Sequence, residues 1–238
     1  ALPILIGINS AKYATIGGNF IPSENIGEVL NQGIDACVNW NDKVGEDFTY
    51  NLGLNITFTK NKLRKTNELS NIEDYRKSIG QPTSAIFGWQ SQGLFGKDVA
   101  IAGHPFQSFG NYQVGDIAYA DLNNDGMVDN NDQTRIGQSF PKTTLGVDVT
   151  LNYKGFGLYI LGTATTGVTQ MLTSTYYWNK GLDGYSVLAE DRYHPVNNPT
   201  GTQPRLTTTS GVNNYRNSTF WTKNGSFFRL KNVELSYT

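Results

Sequence analysis

Cysteine is nearly absent: Cys37 is the only one in 238 residues, which excludes an internal disulfide and a cysteine-rich zinc site. Histidine is scarce too, and His104 and His194 stand far apart without metal-ligand spacing. Charged residues make up only 16% of the chain, against roughly 25% in ordinary soluble domains. The 19 basic and 20 acidic residues leave a net charge of −1. With no basic stripe besides, nothing argues for nucleic acid as a partner. No run of ~18 apolar residues occurs, which excludes a membrane-spanning helix. It does not exclude a transmembrane β-barrel, whose alternating strands keep the mean hydropathy low.

What is abundant points to β-structure: 13 Tyr, 12 Phe, 26 Gly and tracts of Thr and Asn. The clearest segment runs from Phe48 to Phe58. There Phe48, Tyr50, Leu52, Leu54, Ile56 and Phe58 share one face, and Thr49, Asn51, Gly53, Asn55 and Thr57 the other. Unbroken period-2 alternation predicts a strand with one apolar and one polar face. Its ten steps span roughly 33 Å, or about 25 Å of height at a barrel tilt near 40°. That is the height of the apolar band of an outer-membrane barrel, with aromatics at both ends.

Further strands are expected near 33–40, 143–153, 155–165 and 226–238. Ile34, Ala36, Val38 and Trp40 share a face, as do Leu145, Val147, Val149, Leu151 and Tyr153. Phe156, Leu158, Ile160 and Ala164 follow, then Val233, Leu235 and Tyr237. Phe228 and Leu230 fall on the opposite parity from Val233, which requires a bulge or a rise above the membrane. Strands 33–40 and 47–59 are joined by "NDKVGED", and 143–153 and 155–165 by little more than Lys154-Gly155. The connections about 60–142 and 166–225 are long. Short turns alternating with long loops match an outer-membrane barrel with extracellular loops. A soluble sandwich or jelly roll also alternates, but its wet face would carry many Lys and Glu rather than Thr, Asn and Gly.

The stretch "DLNNDGMVDNND", residues 121–132, spaces its oxygens as a calcium loop does. Asp121, Asn123, Asp125, Asp129 and Asp132 take positions 1, 3, 5, 9 and 12, and Met127 at position 7 offers its carbonyl. Gly126 sits where the turn needs a left-handed backbone, and Val128 fills the apolar position. A structural Ca²⁺ is the expected cofactor, with Mg²⁺ the alternative that the shorter Asp132 admits in place of Glu. The flanks "GDIAYA" and "QTRIGQSF" lack the amphipathic period of paired helices, so the site reads as a pin rather than a sensor.

Catalysis finds little support. Glu190, Asp191, Arg192 and His194 lie together, and a carboxylate–histidine pair can do acid–base work, yet no nucleophile motif accompanies them. Cys37 alternates with the apolar face, as a small filler on the polar side. The loop aromatics Phe87, Trp89, Phe95, Phe106, Phe109, Tyr112, Tyr176, Tyr177 and Trp178 read as loop packing or as a ligand or partner surface.

Four blocks, in order, resemble SusC/RagA-type TonB-dependent transporters: "NIGEVLNQGIDACVNWN" (25–41), "IGQPTSAIFGWQSQGLF" (79–95), "GDIAYADLNNDGMVDNNDQTRIGQSFPKTTLGV" (115–147) and "NGSFFRLKNVELSYT" (224–238). Stretches 1–24 and 166–220 match little. The resemblance implies an all-β fold: part of an antiparallel, plugged transmembrane β-barrel of about 22 strands in the outer membrane of a Bacteroidetes-type bacterium. It further implies import of oligosaccharide or peptide substrates beneath a SusD-like surface lipoprotein lid, with TonB acting through regions outside this chain and outer-membrane lipid around the wall. The whole of 1–238 then reads as a partial barrel, an internal piece of a longer protein. Two other classes remain open: a calcium-dependent soluble adhesion or carbohydrate-binding module, and a polysaccharide-degrading enzyme with Glu190 and Asp191 in a cleft.

Overall fold

The computed structural model describes residues 27–69, 71–181, 184–207 and 213–238. The expectations resting on 1–26 lie outside them. In chain order the strands are β1 (Glu28–Val44), β2 (Phe48–Lys65), β3 (Ala85–Gly88), β4 (Ser91–Leu94), β5 (Phe106–Gln107), β6 (Ile117–Tyr119), β7 (Met127–Val128), β8 (Thr134–Gln138), β9 (Thr143–Tyr153), β10 (Phe156–Thr166), β11 (Thr169–Met171), β12 (Thr222–Asn224) and β13 (Phe227–Tyr237). The long ones form one antiparallel sheet in the order β1-β2-β9-β10-β13. Among the described residues the sheet stays open at β1 and β13, an up-and-down section of wall rather than a closed barrel.

Register puts like with like. Val38 pairs with Leu54 and Leu54 with Val147, while Val149 pairs with Ile160 and Ile160 with Val233. One face is therefore apolar across all five strands, and it is exposed: Ile34, Val38, Leu52, Leu54, Val233 and Leu235 all lie open. On the other face Cys37 pairs with Asn55, Thr57 with Thr144, and Gly157 with Ser236. Among the described residues, no other part of the chain seals either side of this sheet. Such a sheet is stable only where a second solvent, the hydrocarbon, wets the apolar face.

Aromatic residues close both ends of that face. Phe48, Tyr153, Phe156 and Tyr237 are successive cross-strand neighbours at the turn end, and the Phe156 and Tyr237 ring centroids lie 4.7 Å apart. Phe58 and Phe228 stand toward the other end. The β9–β10 turn needs only Lys154 and Gly155, at φ 45° and 86°, the paired left-handed backbone of a two-residue hairpin. The first hairpin turns within Gly45–Asp47, shorter than "NDKVGED", because Asn41 to Val44 stay paired to Asn51 to Phe48.

Two features differ from the reading of the sequence, and the alternative it left open at Phe228 is settled. β1 and β2 extend past 33–40 and 47–59, since backbone pairing continues beyond the apolar band where side chains no longer alternate. The parity conflict at Phe228 and Leu230 resolves as a bulge: Asn232 pairs with Leu161 and Leu230 with Gly162, leaving Lys231 over. Phe228 and Leu230 thereby return to the apolar face, where the Phe228 ring covers Gly162. Finally, the long connections are not structureless. They hold β3–β8, β11, β12 and short 3₁₀ turns, and fold against each other around Trp89, Leu94, Ile117, Tyr119, Val128, Tyr193 and Trp221.

Candidate functional site

Strands, not helices, flank the 121–132 loop: β6 enters it and β8 leaves it. Asn124 (φ 57°) and Gly126 (φ 86°) adopt the left-handed backbone that the turn demands. Asp121 Oδ2 accepts from Gly126 N at 2.9 Å, Asp125 Oδ1 from Met127 N at 2.9 Å, and Asp129 Oδ1 from Asn131 N at 2.6 Å. Asp132 is fully buried. Its Oδ1 accepts from Leu122 N at 2.7 Å and its Oδ2 from Asp129 N at 2.8 Å, closing a capping box around Asn130–Asp132.

Among these four carboxylates a single oxygen, Asp121 Oδ1, is buried without a hydrogen-bond partner. That orphan and the all-oxygen donor set fit a hard cation. Among the described residues, no three His, Cys, Asp or Glu side chains converge as a metal cluster. The remaining carboxylate oxygens hold the loop through N–H groups instead.

The loop is tied into the body around it. Trp89 Nε1 donates to Asp129 O at 2.8 Å, Tyr75 OH to Asn131 O at 2.9 Å, and Ser108 N to Val128 O at 3.0 Å. Behind it lies a buried polar lattice that the sequence did not announce. Gln107 Nε2 donates to Asn213 Oδ1 at 2.6 Å, and its Oε1 accepts from Tyr119 N at 2.7 Å. Asn214 Oδ1 accepts from Ile117 N at 2.9 Å, and Trp221 Nε1 donates to Asn214 O at 2.7 Å. Asp116 is buried and pairs with Arg205 at 2.8 Å. The Gln107–Asn213, Ile117–Asn214 and Asp116–Arg205 links join the first long connection to the second. The signal available in sequence was the buried-type polar run Asn213-Asn214 beside aromatics, which has no period to reveal it.

Burial raises the Tyr119 phenol far above its ordinary range and pushes Tyr215 up to about 12. Desolvation lowers Arg216, whose guanidinium lies 3.5 Å from the Phe109 ring centroid and 4.7 Å from that of Trp89. Most loop aromatics pack. Trp89 and Phe95 are buried, while Phe109, Tyr177 and Trp178 lean on the core. Phe106 and Tyr176 remain exposed.

The residues Glu190 to His194 form no acid–base pair. His194 Nδ1 accepts from Val196 N at 3.2 Å and Asn197 N at 3.0 Å, capping its own turn. Asp191 accepts from the Thr202 hydroxyl and amide, and the hydroxyl bond holds its carboxyl below the ordinary value. Both side chains serve loop geometry. Cys37 lies exposed on the polar face, with Asn39 Nδ2 3.5 Å from its sulfur.

No family model matches the chain. It is 26% identical over 226 residues to TonB-dependent receptor P26 of Formosa agariphila, covering 90% of this chain and 22% of that protein. TonB-dependent receptor P3 of the same organism is 24% identical over the same shares. Among solved structures, the RagAB peptide transporter superposes with a TM-score of 0.67 at 18% identity, over 99% of this chain and 25% of its own. The RagAB peptide importer in the closed-closed state gives 0.64 at 19% identity, over 97% and 24%. The chain thus spans under a third of the length of each. The resemblance to TonB-dependent transporters and the antiparallel barrel-wall fold are both borne out, and these similar proteins are receptors and transporters, not enzymes.

Proposed function

We propose that the chain is the wall and extracellular-loop portion of a TonB-dependent outer-membrane importer of glycans or peptides in a Bacteroidetes-type bacterium, working with a SusD-like lipoprotein lid. The observation that carries this reading is the exposed apolar face, continuous over five strands and edged by aromatics. A soluble calcium-dependent module would leave Leu52, Leu54, Val233 and Leu235 in water, an apolar patch far beyond what soluble surfaces tolerate. Extraction of the intact protein from cell envelopes tests the reading. Detergent-dependent release with heat-modifiable migration supports it, and full solubility in buffer contradicts it.

Within that importer the body built from the two long connections is the surface turned to the lid. A cryo-EM map of the complex with this body remote from any lipoprotein would remove that part. The 121–132 loop binds a structural Ca²⁺ through Asp121, Asn123, Asp125, Asp129, Asp132 and the Met127 carbonyl, offsetting half of the charge of the four aspartates and stiffening the body. Ligand distances of about 2.3–2.6 Å mark Ca²⁺, and about 2.0–2.1 Å mark Mg²⁺. A loop whose protease resistance ignores both ions and chelator has no such role.

A further inference from the structure

At the top of β2 the strand changes partners. Thr59 N donates to Lys142 O at 2.8 Å, whereas Leu63 N donates to Gln81 O at 2.8 Å and Gly80 N donates back to Leu63 O at 2.7 Å. Between the two attachments a notch of about 260 Å³ opens, lined by Phe58, Pro82, Phe140 and Pro141 together with Lys60, Lys62, Arg135 and Lys142. Lys60 and Lys62 share the parity of Phe58, Ile56 and Leu54, and so continue the outward face just beyond its apolar band. Phe58 and Phe140 are exposed at this level.

The charges of the notch are uncompensated. Arg135 donates only to neutral acceptors, Gln81 Oε1 at 3.0 Å, Gln138 Oε1 at 2.8 Å and Gly137 O at 3.4 Å. Among the described residues no carboxylate pairs with Lys60, Lys62, Arg135 or Lys142. Arg135 is half-buried and fixed by its two glutamines, while the lysines are exposed and free to close on a ligand. Four cations directly above an apolar, aromatic-edged band match a ligand with an anionic head and acyl tails.

We propose that this notch binds the phosphate headgroup of an outer-leaflet lipid, its acyl chains lying down the Phe58–Ile56–Leu54 face. The proposal rests on the barrel reading above, because only a membrane-embedded wall sets tails and head in this order. The test uses the intact transporter in detergent, with native mass spectrometry reading retained dioleoyl phosphatidic acid against dioleoylglycerol, which has the same chains without phosphate. The phosphorylated lipid is retained at least roughly tenfold better. The triple variant Lys60→Gln, Lys62→Gln, Lys142→Gln loses that preference while keeping heat-modifiable migration, and the Lys→Arg triple at the same positions keeps both.

Equal retention of dioleoylglycerol, or undiminished retention by the folded glutamine variant, overturns the site. Complete displacement by millimolar inorganic phosphate overturns the lipid as its occupant. Failure of the barrel reading looks different: the protein then leaves the envelope without detergent, before any lipid is added.

Discussion

The sheet and the body above it are built from one chain by opposite rules. In the sheet, Leu54 and Val233 point outward and lie open, and the polar Asn55 and Thr57 take the other face. In the body, Trp221, Tyr119 and Ile117 are sealed inside, and even Gln107, Asp116 and Asn214 are buried because each finds a partner. The difference teaches that no side chain has a fixed inside. Hydrocarbon around the wall makes apolar-out the low-energy arrangement, and water around the rim restores apolar-in.

Three experiments break or sharpen that comparison. The largest effect is expected from Trp221→Ala. The indole is wholly buried and donates to Asn214 O, so its loss costs the body about 3–5 kcal/mol. The damage stays above the membrane: proteases nick the connections while heat-modifiable migration persists. Loss of both together would show that wall and body are one cooperative unit.

Next is a charge placed on each face of β2. Leu54→Arg puts a cation toward lipid at a cost of about 2–4 kcal/mol near mid-membrane. Asn55→Arg, one residue on, points to the polar side and leaves folding yield in detergent nearly unchanged. Equal losses would mean that the two faces meet the same solvent.

The smallest effect is alkaline. The Tyr215 phenol is raised to about 12 from an ordinary value near 10, so the folded body holds its proton longer than the unfolded chain. The resulting stability is complete below pH ~10 and is lost as pH climbs toward about 12. Phenolate absorbance should lag in the intact protein, and protease resistance of the body should fall across that interval. Tyr215 ionising with the solvent-exposed tyrosines would contradict its burial.

How much of this was legible in sequence follows the same division. Phe48 to Phe58 declares its strand because hydrocarbon and a polar interior enforce strict alternation. Residues 28–32 and 60–65 continue the ladder without that constraint, so their pairing left no pattern. Phe228 and Leu230 raised a parity conflict that the residue Lys231 absorbs as a bulge. The 121–132 loop was readable through its Asx spacing, since Asp121, Asp125 and Asp129 each turn onto a backbone N–H two to five residues along. The lattice of Gln107, Asp116, Asn213 and Asn214 was not, because its bonds join residues about a hundred positions apart.

The claim beneath all of this is that the exposed apolar face meets lipid. Spin labels at Leu54→Cys, Val233→Cys and Asn55→Cys, in a Cys37→Ser background reconstituted into bilayers, read it directly. Collision with membrane-soluble oxygen should dominate at positions 54 and 233, and collision with a water-soluble nickel chelate at 55. Nickel-dominated relaxation at positions 54 and 233 would contradict the account.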